Sequence, residues 1–224
     1  MEAAVPVYRH SAITRITHGA FGLAFFGLAL TGTQFLLHAH WIRNPLLIHE
    51  ILAGVTIASG LVYFGHALLT GRLRSLLFGA RDIRGLVPMT LYYLRLRATP
   101  PEYAEYNPLQ KLAYTVVLLM LAPLIVATGL AIWPHLALFR PIANVFGGRR
   151  ATSVWHLGFA LELLLFFAGH MVMVATTGLR QNLRAIVTGW STPVMQPMPV
   201  ESPSRRRTAR LQTGIVSAAR RARS

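Results

Sequence analysis

Four stretches of the chain contain no Asp, Glu, Lys or Arg, or nearly none: Ile16 to Ile42, Ile51 to Gly71, Leu112 to Phe139, and Ala151 to Leu179, the last broken only by Glu162. A helix of roughly 20 apolar residues crosses the hydrocarbon core of a bilayer. The pattern therefore predicts an all-α membrane protein, a four-helix bundle with spans over about 16–39, 46–70, 111–134 and 152–178. The first run is too long for the hydrophobic region of a signal peptide and has no small-x-small cleavage site after it, so it is expected to be a retained span. Residues 1–190 form the membrane domain in this reading. From Ser191 to Ser224, Pro, Ser and Arg dominate, which predicts a disordered basic tail lying on anionic lipid. Between the second and third spans, Asp82 to Arg97 mixes aromatics with arginines and reads either as a segment at the membrane surface or as a plain loop.

Composition agrees: 54% of the 224 residues are hydrophobic and only 13% charged, with a mean hydropathy of +0.47. The formal net charge of +15 does not point to nucleic acid, because the basic residues sit in clusters outside the apolar runs. Two precede the first span, seven lie between the second and third and nine follow the fourth, against four (Arg43, Arg140, Arg149, Arg150) on the other side. Eighteen against four places both termini and the middle loop in the cytoplasm. The chain has no cysteine, which excludes disulfides, iron-sulfur clusters, thiol catalysis and covalent haem attachment.

The candidate chemistry lies in nine histidines, of which His18, His49, His66, His156 and His170 fall in or at the edges of spans. An imidazole in hydrocarbon needs a partner, and neutral imidazole is a strong axial ligand for haem iron. His156 and His170 are fourteen residues apart, within 40° of four full turns and separated by about 21 Å of rise, so they share one face at two depths. That is the arrangement for two metal-centred cofactors, each needing a second ligand. His49 lies six residues in from Arg43 and His156 six in from Arg150, so they match in depth at the outer side. At the inner side His18 and His66 compete for His170. Distance from the nearest arginine favours His66, whereas its 17-residue spacing from His49 turns it about 100° from the His49 face. His38, His40 and His135 are read as interfacial. Gly19, Gly22, Gly27, Gly32, Gly54 and Gly129 allow either a flat ring or a neighbouring helix to approach the backbone.

The segment YNPLQKLAYTVVLLMLAPLIVATGLAIWP (Tyr106 to Pro134) followed by FGGRRATSVWHLGFALELLLFFAGH (Phe146 to His170) resembles the cytochrome b subunits of thiosulfate reductase type, the formate dehydrogenase gamma subunits and the b-type cytochromes of Ni,Fe-hydrogenases. RITHGAFGLAFFGLALTG and LIHEILAGVTIASGLVY fit the same pattern less specifically, and the resemblance covers roughly residues 9 to 190. It implies a membrane subunit in the bacterial inner membrane that binds two haem b groups and exchanges electrons between the quinone pool and a periplasmic molybdopterin or iron-sulfur oxidoreductase subunit. It would be an electron-transfer subunit rather than a stand-alone enzyme. The implied axial ligands are His18 with His170 and His49 with His156; Glu50, following His49, departs from the pattern.

The resemblance also implies a quinone site in which an Asn-x-x-Gln element enters the third helix, matched here by Asn107 and Gln110 with Lys111 beside them. Asn107 before Pro108 equally reads as a helix cap. Arg43, Arg149 and Arg150 are candidates for contacts to haem propionates or to the partner. Glu162, about 120° off the His156 face, reads as a protonated acid bonded to a neighbouring helix or as part of a proton path. The alternative function is a small histidine-lined transporter or channel, which should show an internal repeat or broken helices; Pro123 is the one sign of such a break. A haem-free anchor would leave histidines at two depths without a purpose.

Overall fold

The structure, a computed structural model, describes residues 6–101, 103 and 106–191; the tail expected beyond Ser191 lies outside the described residues. Four helices are long and apolar enough to cross a membrane: Ala12–Leu36, Pro45–Leu69, Pro108–Ile132 and Arg149–Thr176. Three of the four begin several residues earlier than the uncharged runs suggest. The side chains of Ser11 and Asn107 cap the starts at Ala12 and Pro108, and Arg15, Lys111, Arg149 and Arg150 lie inside the first turns.

In chain order, strand β1 (Val7–Tyr8) leads to α1 (Ala12–Leu36), where the Ser11 side chain accepts from the Thr14 N–H. A short loop turns into α2 (Pro45–Leu69), with proline in its first turn and Asn44 in the left-handed region at φ 55°. The loop is held by Gln34, 2% exposed, whose amide donates to the Ile42 carbonyl and accepts from the Ile42 N–H at 3.1 and 2.7 Å. After α2 come α3 (Leu73–Leu76) and α4 (Ile83–Tyr93); the segment expected to be a surface element or a loop is therefore helical. The third span comprises α5 (Pro108–Val116), a π turn (Val117–Leu121) and α6 (Ala122–Ile132). Pro123 has no N–H to give and its ring crowds the preceding turn; the wider π turn accommodates it without breaking the helix and rotates everything beyond it. Helix α7 (Ile142–Val145) precedes α8 (Arg149–Thr176), and α9 (Leu179–Thr188) leads into strand β2 (Trp190–Ser191). Strands β1 and β2 pair antiparallel, Val7 opposite Ser191 and Tyr8 opposite Trp190, which clips the start of the chain to the end of α9.

The bundle has little apolar core. Ala24, Ala67, Leu121, Ala131 and Phe159 are buried, while Leu23, Leu61, Leu69 and Leu165 are 68–88% exposed. Lipid tails are as apolar as leucine, so large side chains turn outward and small ones mediate helix contact. Helix α1 packs along α2, and α6 along α8, while the two pairs approach each other far less closely. Gly27 serves the first contact, since a Cβ there would overlap Leu52. Across the gap, Phe167 of α8 meets Phe25 and Phe26 of α1 at ring-centre distances of 5.3 and 5.1 Å.

Candidate functional site

Two pairs of histidines face each other across that gap. The His49 and His156 ring centres are 6.4 Å apart, and the His18 and His170 ring centres are also 6.4 Å apart. His66 is elsewhere: its Nε2 lies 3.1 Å from the Ser11 hydroxyl at the cap of α1. The depth ruler that favoured His66 is thus outweighed by rotation, since its ring is turned toward the α1 start.

The spacing has a direct chemical meaning. Two imidazoles bound to one metal from opposite sides, through bonds of about 2 Å and with roughly 1.1 Å more from each nitrogen to its ring centre, have centres about 6 Å apart. The 6.4 Å spacing of both pairs is close to that value, and along α8 they are separated by fourteen residues, about 21 Å. His18, His49 and His156 are each followed four residues on by Gly22, Ala53 or Ala160. That position is one turn deeper on the same face, where a planar ring held by the imidazole needs room. A Cβ at Gly22 would meet nothing within 4 Å, whereas one at Gly129 would come 3.1 Å from His156 Cε1, so Gly129 makes space for the imidazole itself. Gly19, Gly32 and Gly54 also have open space beside them.

Two buried threonines complete the outer pair. Thr31 Oγ1 lies 2.7 Å from His49 Nδ1, and Thr128 Oγ1 lies 3.1 Å from His156 Nδ1. Each hydroxyl also donates one turn back, Thr31 to the Gly27 carbonyl at 2.8 Å and Thr128 to the Leu124 carbonyl at 2.7 Å. With the hydroxyl proton committed, the ring Nδ1–H donates to the threonine and Nε2 keeps its lone pair for a metal. A hydrogen bond from the far ring nitrogen is the usual device for fixing a ligating tautomer. Sequence reasoning missed both threonines. Their signal was depth: Thr31 is five residues before Leu36 and Thr128 six before Pro134, near the outer ends of spans where His49 and His156 also lie. Phe35 adds an edge-to-face contact to His49 at 5.8 Å. At the inner pair, Phe166 stacks on His170 at 6.2 Å.

The proposed quinone residues have protein partners. Asn107 and Gln110 form a reciprocal capping box at the start of α5, Asn107 Oδ1 accepting from the Gln110 N–H and Gln110 Oε1 from the Asn107 N–H. Asn107, 2% exposed, also donates to the Tyr93 hydroxyl at 3.0 Å, and Gln110 Nε2 lies 3.0 Å from Met173 Sδ. Lys111 pairs with Asp82 at 3.0 Å. The Gly79 N–H and the Lys111 ammonium hold the Asp82 carboxyl below its ordinary pKa. Arg43, Arg149 and Arg150 are exposed at the outer end. There His38 and His40 line an open groove between the end of α1 and the start of α2, and His135 shares a smaller one with Glu50. Glu162 does not reach a neighbouring helix: it is exposed midway along α8 with no hydrogen bond among the described residues.

A multi-span membrane protein that presents paired imidazoles at two depths is of the b-cytochrome class. A family model described as prokaryotic cytochrome b561 matches residues 9–189, and the chain belongs to that family. It is a membrane b-type cytochrome that binds haem b and works in electron transfer. No curated protein and no solved structure matches it. The transporter alternative receives no support from this assignment.

Proposed function

We propose that the chain is the transmembrane electron-transfer subunit of a bacterial inner-membrane complex. His49 and His156 hold one haem b near the outer surface, and His18 and His170 hold a second near the inner one. The observation that carries this reading is the repetition of one 6.4 Å ring spacing at two depths on opposing helices. When bound, haem supplies reversible one-electron chemistry. The chain supplies the rest: imidazoles whose Nε2 is left free at the outer pair by Thr31 and Thr128, small residues at Gly22, Ala53 and Ala160 with open space beside Gly22, and an apolar surround that excludes water.

Electrons pass in this reading between the quinone pool at the cytoplasmic end and a periplasmic-side molybdopterin or iron-sulfur oxidoreductase subunit, as in thiosulfate reductases, formate dehydrogenases and hydrogenases. Arg149 and Arg150 support an anion-facing outer end, because two arginines in the first turn of α8 oppose the helix dipole and gain nothing for the helix there. Haem propionates or an acidic partner surface would offset that cost, with Arg43 contributing. For quinone, Asn107, Gln110 and Lys111 are the candidate groups at the inner end, and Asn107→Ala separates their two roles. A cap alone predicts a loss of about 1 kcal/mol of stability with quinol oxidation unchanged; a quinone contact predicts slower quinol oxidation at full haem content.

The primary test is a reduced-minus-oxidised optical spectrum with haem extracted and counted per chain. Two haems are expected, falling to one in His156→Ala and one in His18→Ala and staying at two in His66→Ala. A single haem lost with either His156→Ala or His49→Ala and unaffected by His18→Ala would overturn the two-haem reading.

A further inference from the structure

Helix α9 has a surface that the spans do not explain. At 100° per residue, Leu179, Leu183, Ile186 and Val187 fall within about 100° of arc, and Leu179, Leu183 and Val187 are 43%, 51% and 67% exposed. Ala185, on another side, is buried against the protein at 2%. Arg180 and Arg184 border the apolar stripe, and the helix has no acidic residue. In a helix facing water, the exposed side would carry the polar residues and the buried side the apolar ones.

The orientation of α9 is fixed at both ends. Gly178, at φ 112°, breaks the chain away from α8, and the Asn182 amide donates to the Val174 carbonyl at 3.2 Å and to the Thr177 hydroxyl at 3.0 Å. At the far end, Arg15 of α1 donates to the Thr188 carbonyl at 3.1 Å, and the Gly189 carbonyl accepts from the Arg9 N–H. Gly189 has φ 87°, and a Cβ there would press on Tyr8 and the His10 carbonyl, so this tie requires glycine. Helix α9 thus bridges the end of one span and the start of another. Half-exposed Tyr8 and Trp190 sit beside it, the residue types that favour a membrane interface. Helix α4, on the same side of the membrane by the charge distribution, repeats the pattern: Ile83, Val87 and Leu91 are exposed in a stripe bordered by Arg84, with Met89 buried beneath.

We propose that α9 lies in the plane of the bilayer surface on the side of the termini. Leu179, Leu183 and Val187 enter the acyl boundary, while Arg180 and Arg184 hold the phosphate of anionic phospholipid. Charge complementarity between these arginines and phosphate, and continuity with the bilayer that the four spans require, support this placement. It rests on the membrane spans and not on the haem assignments.

Because the chain has no cysteine, Leu183→Cys and Gln181→Cys can each carry a single spin label in the full chain, reconstituted into discs of phosphatidylcholine with or without phosphatidylglycerol. The expected result is that the Leu183 label is reached by oxygen and shielded from an aqueous nickel chelate, with the reverse at Gln181. Equal access of the chelate to both labels overturns the in-plane placement. For the headgroups, phosphatidylglycerol retained through purification is counted in Arg180→Gln, Arg184→Gln and the double variant. Retention is expected to fall roughly fivefold per arginine and to recover in the lysine variants. Unchanged retention in the double variant overturns the anionic site.

Discussion

The two histidine pairs have the same ring spacing and different support. At the outer pair both imidazoles donate from Nδ1 to a buried threonine whose own proton is committed to a helix carbonyl. At the inner pair neither His18 nor His170 has a hydrogen-bond partner among the described residues, and His18 is exposed to the gap. The outer rings are therefore set in tautomer and direction before any metal arrives, whereas no hydrogen bond among the described residues fixes the inner rings and His170 is steadied by the Phe166 stack. An equal distance is not an equal degree of preparation.

The largest expected effect follows from that contrast. Thr31→Val and Thr128→Val keep shape and remove the hydroxyl, and loss of the hydrogen bond that orients a ligating imidazole typically costs 10- to 100-fold in metal affinity. In a haem titration of depleted protein, the double variant should lose that factor at the outer site and leave the inner affinity unchanged. Equal losses at both sites would abolish the distinction.

The parts of this arrangement that were legible in the sequence are those set by local arithmetic. Hydropathy located the four spans, and the 40° offset between His156 and His170 placed both on one face of α8. What depended on how one helix rotates against another was not legible. Thr31 and Thr128 are ordinary residues until α1 meets α2 and α6 meets α8. The π turn before Pro123 changes the phase of the third span, so counting from Asn107 misplaces every face beyond it. His66 illustrates the same limit: its depth matched His170, but its ring meets Ser11 instead. Asn107, read both as a cap and as a quinone group, shows how one side chain satisfies two patterns that sequence spacing does not separate.

A smaller effect distinguishes two glycines of α1 that look alike in sequence. Gly27 is spent on packing, where an added methyl meets Leu52, while a methyl at Gly22 meets open space on the His18 face. Gly27→Ala should lower thermal stability by about 1–3 kcal/mol, partly relieved by rotation of the leucine, with haem content little changed. Gly22→Ala should leave the stability of haem-depleted protein unchanged and reduce haem at the inner site alone. If both variants lost stability equally without haem, Gly22 would be a packing residue and the inner pocket less open than the structure shows.

The smallest effect concerns what holds the inner end in place of threonines. There the start of α5 is anchored by its capping box and by the Lys111–Asp82 pair, whose side chains are 19% and 18% exposed. Asp82 titrates below its ordinary value because the Gly79 N–H and Lys111 favour the carboxylate. The sign follows: its contribution is fully present above the unfolded-state pKa of about 4 and is lost as pH falls through the lower folded-state value. A partly exposed pair contributes at most about 1 kcal/mol, so Asp82→Asn should lower the melting temperature slightly at pH 7, and the difference from the parent should vanish on acidification. High salt should shrink it too. The same variant should leave the outer haem spectrum untouched, since nothing in the Thr31–His49 and Thr128–His156 contacts depends on that charge. A shift in the outer spectrum would mean that the two ends are coupled through the third span, and the comparison between them would have to be drawn along the helix rather than across the bilayer.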